Sequence, residues 1–160
     1  MSRNTSRIQS EIKQRRPFRS KAQEASIALL RTADVLRRTL GAVTGPEDLT
    51  VQQYNVLRIL RGAGAEGLPT LEIGERMIEQ APGVTRLLDR LEAKSLVRRV
   101  RCLHDRRQVF CHITDEGLAL LAKLDRPVDR ADEAGMSGLT KAETQALIAL
   151  LDKVRAAHGE

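Results

Sequence analysis

The sequence predicts a mainly α-helical fold with one small β-hairpin, a winged helix-turn-helix flanked by helical N- and C-terminal regions. Three observations predict it. Apolar residues recur at helical spacing through most of the chain. One stretch, residues 96–113, instead alternates with a period of two on either side of a charged turn. Residues 68–91 read as two helices joined by a tight turn, the layout of a DNA-binding helix-turn-helix.

The elements follow in order. Residues 1–19 mix Ser, Arg, Asn and Gln with Pro17 and read as a mobile basic arm. From Ser20 to Leu40, the series Ala22, Ala25, Leu29, Ala33, Leu36 and Leu40 predicts a long helix, and Ala28, Leu30 and Val35 widen its stripe. Gly41 and then Gly45-Pro46 end it. Thr50 caps a second helix through Tyr54, Leu57 and Leu60, which stops at Gly62. A glycine-rich turn follows, and Leu68-Pro69 is long enough only for a single bridge. Thr70 caps a short third helix carrying Leu71, Ile73, Met77 and Ile78. Pro82 at the first helical position opens a fourth, with Val84, Leu87, Leu88 and Leu91 as its buried face.

In the hairpin, Val100 and Cys102 alternate with Arg99, Arg101 and Leu103, and Val109, Cys111 and Ile113 alternate with Gln108, Phe110 and His112. Thr114 caps a fifth helix, with Asp115 and Glu116 complementing its dipole. Leu118, Leu121 and Leu124 follow. Pro127 should kink or restart this helix, and Gly135 and Gly138 should break it. Thr140 caps a last helix with Leu147, Leu150, Leu151 and Val154. The implied domains are an arm (1–19), a dimerisation helix (20–48), a winged helix-turn-helix (49–114) and C-terminal dimerisation helices (115–160).

Composition narrows the class. Hydrophobic residues make up 41% and charged residues 30% of 160, an ordinary globular balance. Phe18, Tyr54 and Phe110 are the only aromatics, so the core must be aliphatic. No apolar run approaches the ~20 residues of a membrane span, and the basic N-terminus lacks the apolar region of a secretory signal. Two cysteines without such a signal suit a reducing cytoplasm. Phosphate-binding loops, metalloprotease motifs and nucleophile elbows are missing, which argues against an enzyme and implies no cofactor.

The net charge of +6 sits in one place. Residues 1–21 hold seven basic side chains and one acid, and the rest of the chain carries twenty of each. Isoelectric point therefore says little about the folded body. Local clustering says more: residues 98–107 hold five arginines and one acid, Asp105.

The fourth helix offers Thr85, Arg86, Asp89 and Arg90 to solvent. Arginine reads guanine through a bidentate contact, and threonine reaches bases or phosphate. Ala81 is a poor cap, and Pro82 and Gly83 have no long side chain, so the backbone N–H groups at that positive helix end stay open to a DNA phosphate. At the hairpin tip, Asp105 pairs with Arg107 to hold its shape, and Arg106 reaches toward a minor groove. The alternative there is a solvated charged hairpin.

The first and last helices carry more apolar surface than a small monomer covers, which predicts a homodimer. The alternative is that the two pack together within one chain. Cys102 and Cys111 fall on one apolar hairpin face as small hydrophobes; a redox switch or cross-strand disulfide is the alternative. Strand alternation separates them from His112, which spoils a zinc site with His104.

One ordered set of segments resembles a known family. It comprises Leu49-Thr50-Val51-Gln52-Gln53-Tyr54-Asn55-Val56-Leu57, Gly67-Leu68-Pro69-Thr70-Leu71-Glu72-Ile73-Gly74, Val84-Thr85-Arg86-Leu87-Leu88-Asp89-Arg90-Leu91-Glu92, Leu96-Val97-Arg98-Arg99, Asp105-Arg106-Arg107 and Ile113-Thr114-Asp115-Glu116-Gly117. Together they resemble the MarR family of bacterial transcriptional regulators, over about residues 20–155. The resemblance implies a homodimer whose first, fifth and last helices interlock on a pseudo-palindromic duplex DNA operator. Thr85, Arg86 and Arg90 would enter the major groove and Arg106 the minor groove. It further implies repression relieved by a small aromatic or phenolic ligand bound between the dimerisation and DNA-binding parts. Arg31, Arg37, Arg38 and Tyr54 are candidates for that ligand; their alternative reading is solvated helix residues. Two positions depart from the family pattern. Ala81 replaces the usual Ser or Thr, and Ser95 replaces a Gly at a turn that favours positive φ. The competing functions are a winged-helix protein-interaction module without specific DNA binding and a redox-responsive regulator using Cys102 and Cys111.

Overall fold

The computed structural model describes residues 7–80, 83–101 and 108–159. The helices are α1 (Arg7–Glu11), α2 (Lys21–Thr44), α3 (Val51–Ala63), α4 (Thr70–Glu75), α5 (Val84–Ala93), α6 (Asp115–Met136) and α7 (Lys141–Ala156). The strands are β1 (Leu68–Pro69), β2 (Val97–Arg101) and β3 (Val109–Ile113). The chain divides into two compact units, Met1–Thr39 and Leu40–Glu160.

In the first unit, the segment expected to be a mobile arm has local order over its described residues. Helix α1 ends on Lys13 in the left-handed region (φ 53°). The Gln14 amide donates to the Gln9 carbonyl at 3.0 Å and the Lys13 amide to the Ser10 carbonyl at 3.1 Å, a left-handed helix stop. Two glutamine side chains brace the next turn. Gln9 Nε2 donates to the carbonyls of Gln14 and Arg16, and Gln14 Nε2 donates to that of Arg16 at 2.8 Å. Ser20 Oγ then accepts from the Gln23 amide and caps α2. Helix α2 passes through Gly41 and stops at Thr44, where a 3-10 turn over Gly45–Glu47 begins with Pro46.

The second unit holds the aliphatic core that the scarcity of aromatics predicts. Leu57, Leu60, Ile73, Leu88, Leu91 and Leu121 are fully buried, one set each from α3, α4, α5 and α6. Thr50 and Gln53 form a reciprocal capping box at the start of α3. Helix α3 runs through Gly62 to Ala63. Gly67 (φ 65°) is packed tightly against β3: a Cβ there would lie 2.6 Å from the Cys111 carbonyl oxygen. Only glycine lets β1 approach β3 this closely.

The sheet order is β1-β3-β2, antiparallel throughout, with Leu68 opposite Cys111 and Arg99 also opposite Cys111. The face of β2 differs from expectation. Val100 is exposed, and Arg99 turns inward.

Three further expectations change. Pro69, not Thr70, occupies the cap position of α4, and Thr70 Oγ1 lies 4.0 Å from Cys111 Sγ. Ile73 and Met77 are buried, but Leu71 and Ile78 are exposed. Helix α6 continues through Pro127 as one element to Met136. Proline removes one amide donor, yet Leu124 and Val128 on either side of it are buried, and that packing sustains the helix. Thr114 caps α6 as expected. Thr140 and Glu143 form a capping box on α7. No residue of α7 is buried, and Ile148, Leu150 and Val154 are exposed. Among the described residues, no helix is long and apolar enough to cross a membrane.

Candidate nucleic-acid interface

Helix α5 is strongly two-faced. Leu88 and Leu91 are buried, Val84 and Leu87 are half-buried, and Thr85, Arg86, Asp89 and Arg90 are exposed. Its apolar residues therefore seat it on the core through one stripe and leave the opposite stripe for contact. Arg86 and Arg90 make no ion pair among the described residues, so both guanidinium groups keep all five donors open.

The helix starts at Gly83, with φ 107° and no side-chain cap. That backbone conformation disfavours any residue with a Cβ. Space is not the constraint, since nothing lies within 4 Å of a Cβ built there. The first-turn N–H groups of α5 thus have no capping side chain. Pro82, expected at the first helical position, lies outside the described residues, as does Ala81.

Asp89 is exposed as expected, but it is not free. Its Oδ1 pairs with Arg99 Nη1 at 2.7 Å. The same guanidinium reaches Glu92 Oε2 at 3.0 Å and donates through Nη2 to the Thr85 carbonyl at 3.2 Å, while the Arg99 amide donates to Glu92 Oε1. Burial opposes charging Arg99, but the Asp89 hydrogen bond and the Asp89 and Glu92 charges outweigh it and hold the group above its ordinary value. Arg99 therefore pins β2 to three positions along α5. Sequence periodicity missed this residue because an arginine reads as a surface group. The usable signal was Asp89 and Glu92 at i,i+3 on one helix face, a ready bidentate partner for one arginine.

The helix end is fixed as firmly. Ser95 takes φ 60°, the conformation expected for a turn that favours glycine. The Leu96 amide closes back on the Leu91 carbonyl at 3.0 Å. Thr114 Oγ1 donates to the Ser95 carbonyl at 2.7 Å. Lys94 Nζ pairs with Asp48 Oδ2 at 2.7 Å and also donates to the Asp48 carbonyl. A cleft of about 560 Å³ opens beside it, lined by Asp48, Thr50, Gln53, Arg90 and Lys94 among others.

The hairpin-tip residues Asp105, Arg106 and Arg107, together with Cys102 and His104, lie outside the described residues. Arg98 and Arg101 are exposed on β2. Cys111 is a free, buried thiol. Burial pushes its pKa up, against the Thr70 hydrogen bond and the nearby Arg99 charge. Its register partner is Arg99. Among the described residues, no cluster of three His, Cys, Asp or Glu side chains could hold a metal ion.

The effector candidates have different settings. Arg31 and Arg38 flank Asp34, at 3.8 and 3.1 Å, on the exposed surface of α2 in the first unit. Tyr54 is buried in the second unit, and burial is the main cause of its raised pKa. The Arg58 guanidinium lies 6.0 Å from its ring centre. Nearby, Arg61 grips both carboxylate oxygens of Asp125 at 3.0 and 2.9 Å and ties α3 to α6.

Comparisons with known proteins agree with this geometry. Residues 49–109 match the MarR family profile. The HTH-type transcriptional regulator TtmR of Methylorubrum extorquens is 37% identical over 128 residues, which is 80% of this chain. The match spans 64% of that regulator, just under two thirds of its length. A MarR transcription factor structure from Planctomyces limnophilus is 40% identical with a TM-score of 0.66, covering 85% of this chain and 98% of the other. A mutant of MarR from E. coli, solved with operator DNA, is 25% identical with a TM-score of 0.77, covering 87% and 99%. BpsR of Bordetella bronchiseptica, solved to explain how 6-hydroxynicotinic acid regulates its DNA binding, is 26% identical with a TM-score of 0.73, covering 82% and 98%.

Proposed function

The chain belongs to the MarR family, and on that premise we propose that it is a ligand-responsive transcriptional repressor that binds a pseudo-palindromic duplex operator as a homodimer. The observation that carries this reading is the outer face of α5, where Arg86 and Arg90 make no ion pair among the described residues while Asp89 is paired with Arg99. Thr85, Arg86 and Arg90 read bases in the major groove. The uncapped helix start at Gly83, with Pro82 before it in the sequence, receives a backbone phosphate. Arg106 enters the minor groove, with Asp105 and Arg107 holding the hairpin tip. Exposed apolar residues on α7 (Ile148, Leu150 and Val154) and on α2 (Leu29, Leu30 and Val35) suit burial against a second copy.

The regulator acts in the cytoplasm and performs no catalysis. Its effector is a small aromatic or phenolic anion, in keeping with the 6-hydroxynicotinic acid that regulates BpsR, and Arg31, Arg38 and Tyr54 are the residues proposed to meet it. The alternative of a protein-interaction module is less favoured because Arg86 and Arg90 stand on the second helix of a helix-turn-helix, the face that such units present to DNA. A redox mechanism through Cys102 and Cys111 is disfavoured by the burial of Cys111.

Selection of bound duplexes from a random pool tests this function. The expected product is a palindrome with half-sites about one helical turn, roughly 10 base pairs, apart. Arg86→Ala should relax the preference at one position in each half-site, at about 1–3 kcal/mol per lost bidentate contact. A pool with no enriched motif would overturn the reading.

A further inference from the structure

The basic segment before α2 has no part in the function proposed above. Residues 1–21 hold the whole net charge of the chain. Arg7 pairs with Glu11 and Lys21 with Glu24. Lys13, Arg15, Arg16 and Arg19 are all exposed and make no ion pair among the described residues. They fall within seven residues of chain that contain no acid.

Their backbone is not left loose. The left-handed stop at Lys13 and the Gln9 and Gln14 side-chain amides bonded to the Gln14 and Arg16 carbonyls brace the first half of the segment, and Arg19 N–H donating to Gln23 Oε1 at 2.8 Å ties its end to α2. The carbonyls held by the two glutamine side chains are those of Arg16 and of Gln14, the residue between Lys13 and Arg15. The turn is thereby shaped while the cations remain unspent. A segment that served only solubility would need no such bracing, and a packing segment would not expose four cations within seven residues.

We infer that Lys13–Arg19 is a second DNA-contact element, which holds backbone phosphates without reading sequence. The inference rests on the DNA-binding reading above. Its partner is a polyanion with closely spaced charges: duplex DNA carries one negative charge per about 1.7 Å of axis, enough to meet four cations on one short loop. It also explains how a body with balanced charge can gain general affinity for DNA. The arm supplies the attraction that is independent of sequence, and α5 supplies the discrimination. With a slope near −0.9 in log affinity against log salt per phosphate, each contact adds about fivefold in affinity at 150 mM relative to 1 M salt.

The test uses the full chain and a variant carrying Lys13→Gln, Arg15→Gln, Arg16→Gln and Arg19→Gln. Affinity is titrated from about 50 to 300 mM KCl on two duplexes of about 30 base pairs, the selected operator and a scrambled one. The variant should lose affinity by the same factor on both, with the salt slope lowered by about 2–4 per chain and the specificity ratio kept. A second variant, Arg15→Lys, Arg16→Lys and Arg19→Lys, keeps the charge and should keep the slope. An unchanged slope in the glutamine variant overturns the inference while leaving the operator reading intact. So does a loss confined to the operator, or a slope that falls equally in the lysine variant. If vesicles of phosphatidylcholine and phosphatidylserine bind wild type but not the glutamine variant, and the DNA slope is unchanged, the loop belongs to a membrane surface instead. If wild type binds neither duplex at the lowest salt, the DNA-binding reading falls, and this inference with it.

Discussion

Replacing Arg99 with methionine should weaken both the fold and DNA binding, by separable routes. Methionine keeps most of the aliphatic stem and removes only the guanidinium. That group bridges Asp89 at 2.7 Å, Glu92 at 3.0 Å and the Thr85 carbonyl at 3.2 Å. The Arg99 side chain is only 23% exposed, whereas Asp89 and Glu92 are 56% and 41% exposed. A charge-assisted hydrogen bond removed from water contributes ~1.5–3 kcal/mol, and an exposed ion pair ~0–1. With both carboxylates able to rehydrate, the whole network is worth about 1–2 kcal/mol. For a chain of this length that lowers Tm by about 2–8 °C. The second effect is electrostatic. Released Asp89 lies three residues after Arg86 and beside Arg90, on the face proposed to meet DNA. It pairs with those arginines in solution and repels phosphate, so operator affinity should fall by about tenfold, or ~1.4 kcal/mol. Thermal unfolding and DNA titration read the two effects separately. Adding Asp89→Asn to Arg99→Met should recover part of the affinity without recovering Tm. A Tm within about 1 °C of wild type would refute the network's structural role. Affinity equal to wild type in the single variant would refute the steering of Asp89.

Three other outcomes are expected. Gly67→Ala forces a Cβ to within 2.6 Å of the Cys111 carbonyl at φ 65° and should cost about 2–4 kcal/mol in chemical denaturation; a loss under about 1 kcal/mol would show that β1 moves aside without penalty. Glu143 is held below its ordinary pKa by the Thr140 backbone amide and then by its hydroxyl. A depressed folded value means that the capping box stabilises α7 above the unfolded carboxylate pKa and fails as pH falls through the folded one. Far-UV circular dichroism should therefore show helix loss in acid that Glu143→Gln, which keeps its hydrogen bonds when uncharged, largely escapes; identical acid profiles would remove the box from the account. Cys111, with its thiol pushed up by burial, should resist iodoacetamide in the native protein and react on unfolding, and rapid native labelling mapped to Cys111 by mass spectrometry would contradict its placement.

Much of the fold was legible because its signals are local. Thr50, Thr114 and Thr140 each stand before an apolar run, and each caps the helix expected of it. The buried stripe of α5 follows directly from its 3.6-residue period. What the sequence hid depends on contacts between distant segments. Pro127 looks like a break because local chemistry opposes helix there, but buried Leu124 and Val128 override it. Leu71 and Ile78 look like core residues, yet at helical spacing Leu71 points away from Ile73, so the stripe that buries Ile73 and Met77 leaves Leu71 and Ile78 outside. At the proposed interface, the outward set Thr85, Arg86 and Arg90 was readable from the helix alone. Asp89's capture by Arg99 was not, because it joins a helix to a strand ten residues later.

That capture follows from strand parity, and strand parity is set outside the strand. Read alone, β2 places Val100 inside, since apolar residues usually face the core. The corner before it decides otherwise. Ser95 in the left-handed region turns the chain, and Thr114 fastens that turn by donating from Oγ1 to the Ser95 carbonyl and from its amide to the Leu96 carbonyl. Gly117 lets the two segments close, because a Cβ there would sit 2.5 Å from the Leu96 oxygen. With Leu96 so fixed, Val97 must pair with Ile113 and Arg99 with Cys111. A slip of one residue would invert both faces of β2, expose Val97 and swing the Arg99 guanidinium away from Asp89. The corner of Ser95, Thr114 and Gly117 thus controls the electrostatics of α5 although none of its residues lies on that helix. Gly117→Ala should then mimic part of the Arg99→Met phenotype in DNA titration, through a shifted register and not through lost charge. Restoration of wild-type affinity by Asp89→Asn in that background would trace the defect to the released carboxylate, and a defect that Asp89→Asn leaves untouched would break the proposed link from corner to helix face.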